Sequence, residues 1–435
     1  GARRRDASSG GVRRHSRSRG AAGAAGGMNT DVRMRGFSRR HTVEAALDIL
    51  DAHLAPLATE QVALDRAFGR VLAEDVTSRI DVPGFDRATM DGYAVVAAGT
   101  EGASAYNAIR LTVIGDSFPG RPFDGVVSRG QAVRIMTGAP LPDGSDAVVP
   151  AEFVDAAGAG AVAALADVSP GKNVGRRGED IESGTVVLRG GRVLRPQDVG
   201  VLSSVGCRAV TVQRKPRVRL VVTGNELLPA GSMPREHQIA DANGPMLSAL
   251  AGRDGADVEL TGPVRDDGDA ILRALHADAD VIVVSGGSSV GAEDIAPSLV
   301  AEHGELLVHG IAMRPSSPTG FGRLGGRLVF LLPGNPVSCL CGYDFFAGRA
   351  IRALGGRAKE WPYISLAAPL ARKITSPVGR LDYVRVRLDG GAVQPLATAS
   401  ASVLTSTTRA DGFVVVPGDS EGFAEGDVVK VWLYA

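Results

Sequence analysis

Hydrophobic residues recur with two different spacings along this chain, and the spacing changes several times. Residues 41–54 carry apolar side chains at helical intervals, with Thr42 as the predicted N-cap, and 61–72 suggests a second helix. From 80 to 190, short apolar runs alternate with Gly/Pro turns, a pattern typical of β-structure. Helical spacing returns at 196–206, where Pro196 would occupy a first helical turn.

From residue 216 the pattern predicts alternating strands and helices. The strands are expected at 217–223, 257–264, 281–284, 306–311 and 327–332, and the helices at 243–251, 267–277, 294–303 and 336–354. This alternation predicts a parallel sheet with right-handed helical crossovers, and therefore an α/β domain. After residue 357 the runs become β-like again and predict a small terminal barrel or sandwich.

Three segments of the α/β region share one design, an apolar strand that stops at a turn of glycine and small polar residues. They are VVTGNEL (221–227), VIVVSGGSSVGAED (281–294) and LVFLLPGNPVS (328–338). In α/β proteins, backbone N–H groups at the carboxyl ends of strands bind anions. The three segments therefore predict a shared crevice for a phosphorylated ligand.

The serine-rich turn is the sharpest of the three motifs. Three glycines (286, 287, 291) would let the backbone approach an anion, and three serines (285, 288, 289) would add hydroxyl donors. A tight turn with Asp294 as a helix N-cap explains the acid alone, but not the glycines and serines together. No GK[ST] follows, so the turn is not a Walker loop.

Acidic residues near the same strand ends could hold Mg²⁺ on a polyphosphate, since hard oxygen ligands suit that ion. The candidates are Glu226, Asp241, Asp266, Asp267 and Asp294. Ordinary solvation of exposed loop acids is the alternative explanation for each one alone. Three further turns, at 85–95, 134–142 and 176–180, are equally compatible with a hairpin or a salt-bridged surface loop.

Length and charge narrow the class of protein. A chain of 435 residues is expected to form two to four domains. Its formal charge is zero, but residues 1–27 hold seven Arg and one acid, which leaves 41 basic and 47 acidic residues elsewhere. The mildly acidic remainder argues against a nucleic-acid or anionic-membrane surface. No apolar run is long enough to span a membrane, so we expect a cytoplasmic protein.

The arginine-rich head is interpreted as a disordered extension, with a start upstream of Met28 that is not the natural one. A transit peptide or a nucleic-acid arm are the alternatives. The three cysteines suggest neither a disulfide framework nor a metal site, and Cys339 and Cys341 are expected in the core. The seven histidines show no ligand spacing.

Seven motifs in a fixed order resemble the MoeA family of molybdopterin molybdenumtransferases, whose relatives include the E domain of gephyrin. The motifs are FDRATMDGYAV, RIMTGAPLP, RRGEDI, VVTGNEL, SGGSSVGAED, LPGNPVS and GRLDYVRV. The resemblance covers residues 38 to 435.

The resemblance implies an elongated homodimer with a multidomain α/β plus β architecture. Its expected parts are a disordered head (1–37), a helical dimerisation domain (38–80 and 171–212), an inserted β-rich domain (81–170), a three-layer α/β molybdopterin-binding domain (213–356) and a small C-terminal β-barrel (357–435). The site would lie at the dimer interface and combine motifs from both subunits.

The implied reaction inserts molybdate into adenylylated molybdopterin and releases AMP. The catalytic residues carried over by motif are Asp91, Thr137, Asp180, Glu226, Asp266 and Asp294, the first three reaching in from the partner subunit. Mg²⁺ would be held by Glu226, Asp266 and Asp294. The ligand-binding residues would be Ser285, Gly286, Gly287, Ser289, Gly291, Arg314, Pro333, Gly334, Asn335 and Pro336.

The chain departs from the family pattern on what we expect to be the ligand side of the α/β domain. Ser316 and Ser317 stand where Gly and Lys are usual, and Asn225, Ala242 and Ile295 replace an acid, a hydroxyl and a tyrosine. A gephyrin-like scaffold that docks a protein partner, with weakened catalysis, is therefore the alternative function. An adenylyl-transferring enzyme like the single-domain pterin-binding proteins is a third, which the four-domain layout disfavours.

Overall fold

A computed structural model describes residues 40–276, 278–287, 295–397 and 401–434. The predicted disordered head therefore lies outside the described residues. Within them, no helix is long and apolar enough to cross a membrane.

The first half of the chain is mostly β-structure. Short 3-10 helices lie at Leu64–Arg66, Ala97–Gly99 and Ala151–Phe153. The other elements are α1 (Val43–Asp51), β1 (Thr59–Ala63), β2 (Val76–Thr77), β3 (Arg87–Ala88), β4 (Gly92–Val95), β5 (Ile109–Ser117), β6 (Gln131–Ile135), β7 (Ala147–Pro150), β8 (Val154–Ala156), β9 (Ala161–Ala164), β10 (Val174–Gly175), β11 (Val186–Leu188), α2 (Pro196–Ser204) and β12 (Ala209–Gln213).

The predicted helix at 61–72 is wrong. Those residues begin in β1, which pairs antiparallel with β12 from Thr59↔Gln213 to Ala63↔Ala209, and then form a 3-10 turn. Ala67 and Leu72 pack in one small core with residues of β12, so a distant strand decides the local conformation. The first predicted helix is confirmed, and the Thr42 hydroxyl accepts a hydrogen bond from the Ala45 N–H at 3.2 Å.

The inserted β-rich segment forms a six-stranded sheet in the order β7-β4-β6-β5-β9-β8, in which only the β5–β6 pair is parallel. Adjacent residues on a strand pack on opposite faces: Val133 and Val148 lie in one apolar cluster, Ala132 and Val149 in the other. Both faces of this sheet are therefore covered.

The α/β region starts where β12 ends. Its elements are β13 (Arg217–Thr223), β14 (Leu227–Leu228), β15 (Ile239–Ala240), α3 (Asn243–Arg253), β16 (Asp257–Val264), α4 (Gly268–Leu275), β17 (Val281–Ser285), α5 (Ala296–His303), β18 (Glu305–His309), β19 (Met313–Arg314), β20 (Gly320–Leu324), β21 (Arg327–Leu332), α6 (Pro336–Gly342) and α7 (Gly348–Leu354), with a π-helical turn at Tyr343–Ala347 joining the last two.

The central sheet of this region is buried between two helical layers. Val281 and Val283 of β17 face a cluster that includes α1, α3, α6 and α7, whereas Ile282 and Val284 face a cluster with α4 and α5. The three-layer arrangement follows from this alternation, because an apolar strand buried on both faces needs helices on both sides. Helix α1 packs on this sheet.

The strand order is β16-β13-β17-β21-β20-β18, and the first four strands are parallel, as predicted. Strand β20 runs antiparallel, so the sheet is mixed. The sequence analysis missed β20. A Gly325–Gly326 turn, with φ of +55° and +85°, joins β20 to β21 in a two-residue hairpin.

The C-terminal region is a small barrel. It consists of β22 (Ser365–Pro369), β23 (Ile374–Thr375), β24 (Leu381–Asp389), β25 (Ala392–Ala397), α8 (Thr405–Thr408), β26 (Gly412–Val416), β27 (Gly422–Phe423) and β28 (Val428–Leu433). The strands run in the order β25-β24-β26-β28-β22, and a bridge between Leu370 and Val393 brings the two ends together. Strand β19 of the α/β region also pairs with β24, which attaches the barrel to the main sheet.

A buried polar cluster strengthens the junction between the barrel segment and the α/β region. Tyr363 donates a hydrogen bond to Asp344 at 3.0 Å, and Arg253 reaches both the Tyr363 hydroxyl and Asp254. Burial raises the pKa of Asp344 to about 6. This cluster and the β19–β24 pair fix the barrel beside the carboxyl edge of the sheet.

Candidate functional site

A cavity of about 830 Å³ lies at the carboxyl edge of the parallel strands. The strand ends meet there because their registers align: Ser285 pairs with Val222 on one side and with Leu332 on the other. The predicted site residues that line this cavity are Glu226, Asp266, Ser285, Gly286, Gly287, Arg314, Pro333, Gly334, Asn335 and Pro336. The predicted shared crevice is thus one continuous space.

Three predicted residues of the serine-rich turn, Ser289, Gly291 and Asp294, lie outside the described residues. The part of that turn that is described shows why glycine is needed. Gly286 has a φ of +97°, and a Cβ there would lie 2.3 Å from the Thr223 carbonyl oxygen. The close approach of two strand ends therefore excludes any larger residue at position 286.

Asn243, the first residue of α3, joins the strand ends to each other. Its side-chain amide donates to the Ser285 hydroxyl at 2.9 Å and to the Gly334 carbonyl at 2.7 Å. Its Oδ1 atom is buried and has no partner among the described residues. From the sequence, Asp241 was predicted as an acidic candidate and Ala242 as a departure from the family pattern, but the role of Asn243 was missed; an amide at the start of a helix that closely follows a β-strand was the available signal.

Four of the five acidic candidates are described, and Glu226 and Asp266 lie on neighbouring loops joined by hydrogen bonds, while Asp241 lines the cavity and accepts a 2.9 Å bond from the Gly244 N–H. The Asn225 N–H donates to the Asp266 carboxylate at 3.1 Å, and the Asp266 N–H donates to the Asn225 side chain at 3.3 Å. Asn225 itself does not line the cavity, but it holds Asp266 there. Asp267 is instead the N-cap of α4, through a 2.9 Å bond to the Ala270 N–H.

The segment from Met313 to Pro318 forms another wall, and here the expectation that both serines face the ligand needs correction. Ser316 has a φ of +86°, and its hydroxyl donates to the Ser338 carbonyl and contacts the Thr319 hydroxyl, each at 2.6 Å. Its side chain is therefore turned into the protein. Both serines line the cavity, but the buried Ser317 hydroxyl, unlike that of Ser316, has no partner within the described residues.

Ile295, another departure from the family pattern, does not lie on the ligand side as expected. Ile295 packs in the apolar cluster with α4 and α5 and is absent from the cavity lining, whereas Ala242 does line the cavity. One backbone N–H at the start of α6 is not available to a ligand, because the Val337 N–H donates to the Ala401 carbonyl of the barrel at 3.0 Å.

The barrel contributes a wall that the sequence analysis did not foresee. Arg380, Arg385, Ala401 and Ser402 line the cavity. Arg380 forms an ion pair with the buried Asp382 at 2.9 Å. The GRLDYVRV segment contains both arginines, Arg380 just before β24 and Arg385 within it. The local sequence did not indicate which surface these side chains would contact.

Of the remaining predicted residues, Asp91 and Thr137 lie on the inserted β-rich domain and Asp180 lies in the segment that follows it. The Asp91 carboxylate accepts from both the N–H and the hydroxyl of Thr137, each at 2.7 Å, and the Thr137 N–H is the main reason that the pKa of Asp91 lies below its usual value. Asp180 is exposed, and its N–H donates to the Val82 carbonyl at 3.1 Å. None of the three lines the cavity within one chain.

The neighbouring loops of the inserted domain are held by ion pairs. Arg176 binds Asp86 at 2.9 Å and Arg177 binds Asp81 at 2.6 Å. The salt-bridged surface loop considered from the sequence is therefore what the structure shows for this motif. The predicted core cysteines, Cys339 and Cys341, are fully buried, and burial raises the pKa of Cys339 to about 12.

Comparison with known proteins identifies the family. The MoeA N-terminal region (domain I and II) matches residues 41–206, a probable molybdopterin binding domain matches 219–353, and the MoeA C-terminal region (domain IV) matches 367–434. The molybdopterin molybdenumtransferase 2 of Mycobacterium tuberculosis (strain H37Rv) is 36% identical over 384 residues, 85% of this chain and 94% of the relative. The chain belongs to the MoeA family.

Other MoeA relatives agree. The molybdopterin molybdenumtransferase of Staphylococcus aureus (strain COL) is 32% identical over 387 residues, 86% of this chain and 90% of the relative. A crystal structure of the molybdopterin biosynthesis MoeA protein from Pyrococcus horikoshii OT3 has a TM-score of 0.74 at 32% identity, covering 91% of this chain and all of that one. The predicted family and fold class are confirmed.

Proposed function

We propose that this MoeA-family protein is a molybdopterin molybdenumtransferase, which inserts molybdenum from molybdate into adenylylated molybdopterin and releases AMP. The observation that carries the proposal is the single cavity in which glycine turns, carboxylates and arginines converge. Cleavage of a phosphoanhydride needs a seat for the phosphates, positive charge opposite them and acids for a metal, and each wall supplies one of these.

The glycine turns are the proposed seat of the pterin phosphate. Gly286 and Gly287 bring backbone close to the space, and the Pro333–Pro336 turn lies beside them, held by Asn243. Fixed backbone dipoles of this kind stabilise an anion without reorganising during the reaction. Arg314 and Arg380 line the same space and would face the negative charge of the substrate.

Mg²⁺ fits the acidic wall. Among the described residues no group of three His, Cys, Asp or Glu side chains could hold a metal ion. Mg²⁺ at nucleotide sites is nonetheless usually bound by one or two carboxylates together with substrate phosphates and water. Glu226 and Asp266 supply that pair, and Asp294 is proposed as a third ligand. When bound, the ion would neutralise charge on the phosphate oxygens.

We further propose that the active protein is a homodimer acting in the cytoplasm, in which Asp91, Thr137 and Asp180 of each subunit complete the cavity of its partner. These residues lie outside the cavity of their own chain. Ile80, Phe85 and Met90 on the same loops are 47%, 47% and 39% exposed, more apolar surface than a solvated loop needs. A partner subunit would cover it.

The test is AMP release by the purified protein given adenylylated molybdopterin, molybdate and Mg²⁺. We expect AMP formation that depends on molybdate, is lost with a chelator and returns with added Mg²⁺. Glu226→Gln should reduce turnover while leaving the thermal midpoint unchanged, because Glu226 is exposed. AMP release no higher than that of heat-inactivated protein would refute the proposal.

The scaffold alternative has less support. It depended on Ser316 and Ser317 as signs of a drifted pocket, but the Ser316 hydroxyl is used within the fold, and the other walls keep their charged residues. The relatives that match most of the chain are named as transferases. No feature of the described residues indicates a docked protein partner.

A further inference from the structure

The cavity also receives a charged residue from the N-terminal segment of the chain, which none of the motifs includes. Arg40 lines the cavity, although it lies nearly two hundred residues before the nearest strand-end turn in the sequence. Its position is set by its neighbour, because the His41 N–H donates to the Gly310 carbonyl at 3.1 Å and the Ala312 N–H donates to the His41 carbonyl at 2.7 Å.

These hydrogen bonds place Arg40 beside the wall formed by Met313–Pro318. The residue between the two bonded positions, Ile311, donates its N–H to the Ser317 carbonyl at 2.9 Å. Residue 41 and residue 317 are therefore attached to the same short stretch of backbone. On its other side, Ala312 accepts a 2.9 Å hydrogen bond from the Leu381 N–H, next to Arg380.

The chain after Arg40 is equally well fixed. Thr42 caps α1, and Val43, Ala46 and Leu50 of that helix are buried against the central sheet. The chain that follows Arg40 is thus held at His41 and in α1, while the Arg40 side chain is exposed at the cavity. A pre-positioned cation of this kind loses little entropy when it binds an anion.

The charges of the cavity indicate what Arg40 does. Three carboxylates line it, those of Glu226, Asp241 and Asp266, and the charge of Arg380 is already matched by Asp382. Ser317 offers the adjacent wall only a neutral hydroxyl, which has no partner among the described residues. Two further arginines line the space, Arg314 on this wall and Arg385 on the barrel, and Arg40 adds a positive charge on the side of Arg314 and Ser317 that would face an entering phosphate or molybdate.

We propose that Arg40 is an anion-binding residue of this site, whose guanidinium binds an oxyanion of the substrates next to Ser317. The inference rests on the proposed function for the identity of the substrates. The shared chemistry is a tetrahedral oxyanion, either the phosphate of the nucleotide ligand or molybdate.

The experiment measures anion binding without turnover. AMP and sodium molybdate are titrated separately into the full-length protein by calorimetry, for the unchanged chain and for Arg40→Gln, Arg40→Lys and Arg273→Gln. Arg273 is an exposed arginine of α4 that does not line the cavity, so its variant controls for the loss of one charge.

We expect Arg40→Gln to lower the affinity for one of the two anions about tenfold, the usual effect of losing one charge-assisted contact. Arg40→Lys should keep most of the affinity and Arg273→Gln all of it. Weakened AMP identifies the phosphate as the bound group, and weakened molybdate identifies the metal oxyanion. Adding Ser317→Lys to Arg40→Gln should restore binding, since the lysine would return a cation to the same wall.

Three results would overturn the inference: unchanged affinity for both anions in Arg40→Gln, an equal loss in Arg273→Gln, or no binding of either anion to the unchanged chain. The AMP-release assay is separate. A protein that binds the anions through Arg40 but releases no AMP would contradict the proposed function and leave the role of Arg40 intact.

Discussion

The cavity and the Asp91–Thr137 surface are both built from motifs of the MoeA family, but they are assembled in different ways. The cavity walls form within one chain: parallel strand ends, the Asn243 amide and the barrel wall meet through aligned strand registers and buried hydrogen bonds. The Asp91 and Thr137 side chains on the inserted domain are hydrogen-bonded to each other, yet neither lines this cavity within its own chain.

This difference separates ligand binding from catalysis in a testable way. A region assembled by burial should lose both stability and function when its hydrogen bonds are cut. A surface region should lose function alone, because its side chains are exposed and contribute little to the free energy of unfolding.

The largest effect is expected from Asn243→Ala, which removes the bonds to Ser285 and Gly334. Two buried hydrogen bonds are lost, so the free energy of unfolding should fall by about 2 kcal/mol. Turnover should fall by about a hundredfold as the strand ends shift. Chemical denaturation and the AMP assay check both values.

Asn243→Asp is the matched variant, since it keeps the size of the side chain but a carboxylate has no N–H to donate to Ser285 or Gly334. It should be at least as impaired as the alanine variant, because a carboxylate would face the Gly334 carbonyl. Turnover of Asn243→Ala within about twofold of the unchanged chain would show that the cavity does not depend on this residue.

A smaller effect, on stability alone, is expected at Ser316. There the hydrogen bonds of the hydroxyl stabilise the fold, and the positive φ of a non-glycine residue destabilises it. Ser316→Ala loses the bonds to Ser338 and Thr319 and keeps the positive φ, so stability should fall by about 2 kcal/mol. Ser316→Gly loses the same bonds but relieves the backbone, so its loss should be about 1 kcal/mol. Denaturant unfolding of the two variants measures this difference in stability. A glycine variant less stable than the alanine variant would contradict the expected strain at Ser316.

The smallest effect concerns pH on the inserted domain. A backbone N–H, from Arg177, is the main reason that the pKa of Asp86 lies below its usual value of 3.8. A depressed pKa means that the carboxylate stabilises the fold above its unfolded pKa and that this stabilisation is lost as pH falls through the folded value.

Asp86→Asn should therefore lower the thermal midpoint by about one or two degrees at pH 7. The difference should persist to about pH 5 and close as the pH falls through the folded pKa of Asp86, which lies below 3.8, because the carboxyl group then loses its charge. Thermal scans between pH 7 and pH 3 measure it. A difference that grows on acidification would mean that the Asp86 ion pair does not stabilise the loop.

Local patterns were sufficient to predict the parallel strands and their glycine turns, because β17 and β21 are apolar on both faces and the positive φ of Gly286 favours glycine. They failed at 61–72, where pairing of β1 with β12 across more than a hundred residues overrides a helical spacing. They also missed β20, although Gly325–Gly326 is a hairpin signal.

The candidate site shows the same limit. Residues at strand ends were predictable because parallel strands share an edge. Arg40, Arg380 and Arg385 were not, since their presence depends on how the N-terminal segment and the barrel dock on that edge. This docking depends on tertiary contacts such as the bridge between His41 and Ile311 and the β19–β24 pair. Local sequence patterns do not predict such contacts.

The central claim, that one site is made by two subunits, is tested by complementation. Asp91→Ala and Glu226→Gln are each expected to inactivate a homodimer, and the two chains are co-expressed with different tags so that the heterodimer can be purified. One of its two sites then combines both substitutions and the other carries neither. We predict that the heterodimer regains about half of the unchanged turnover. A heterodimer as inactive as its parents would contradict the shared site.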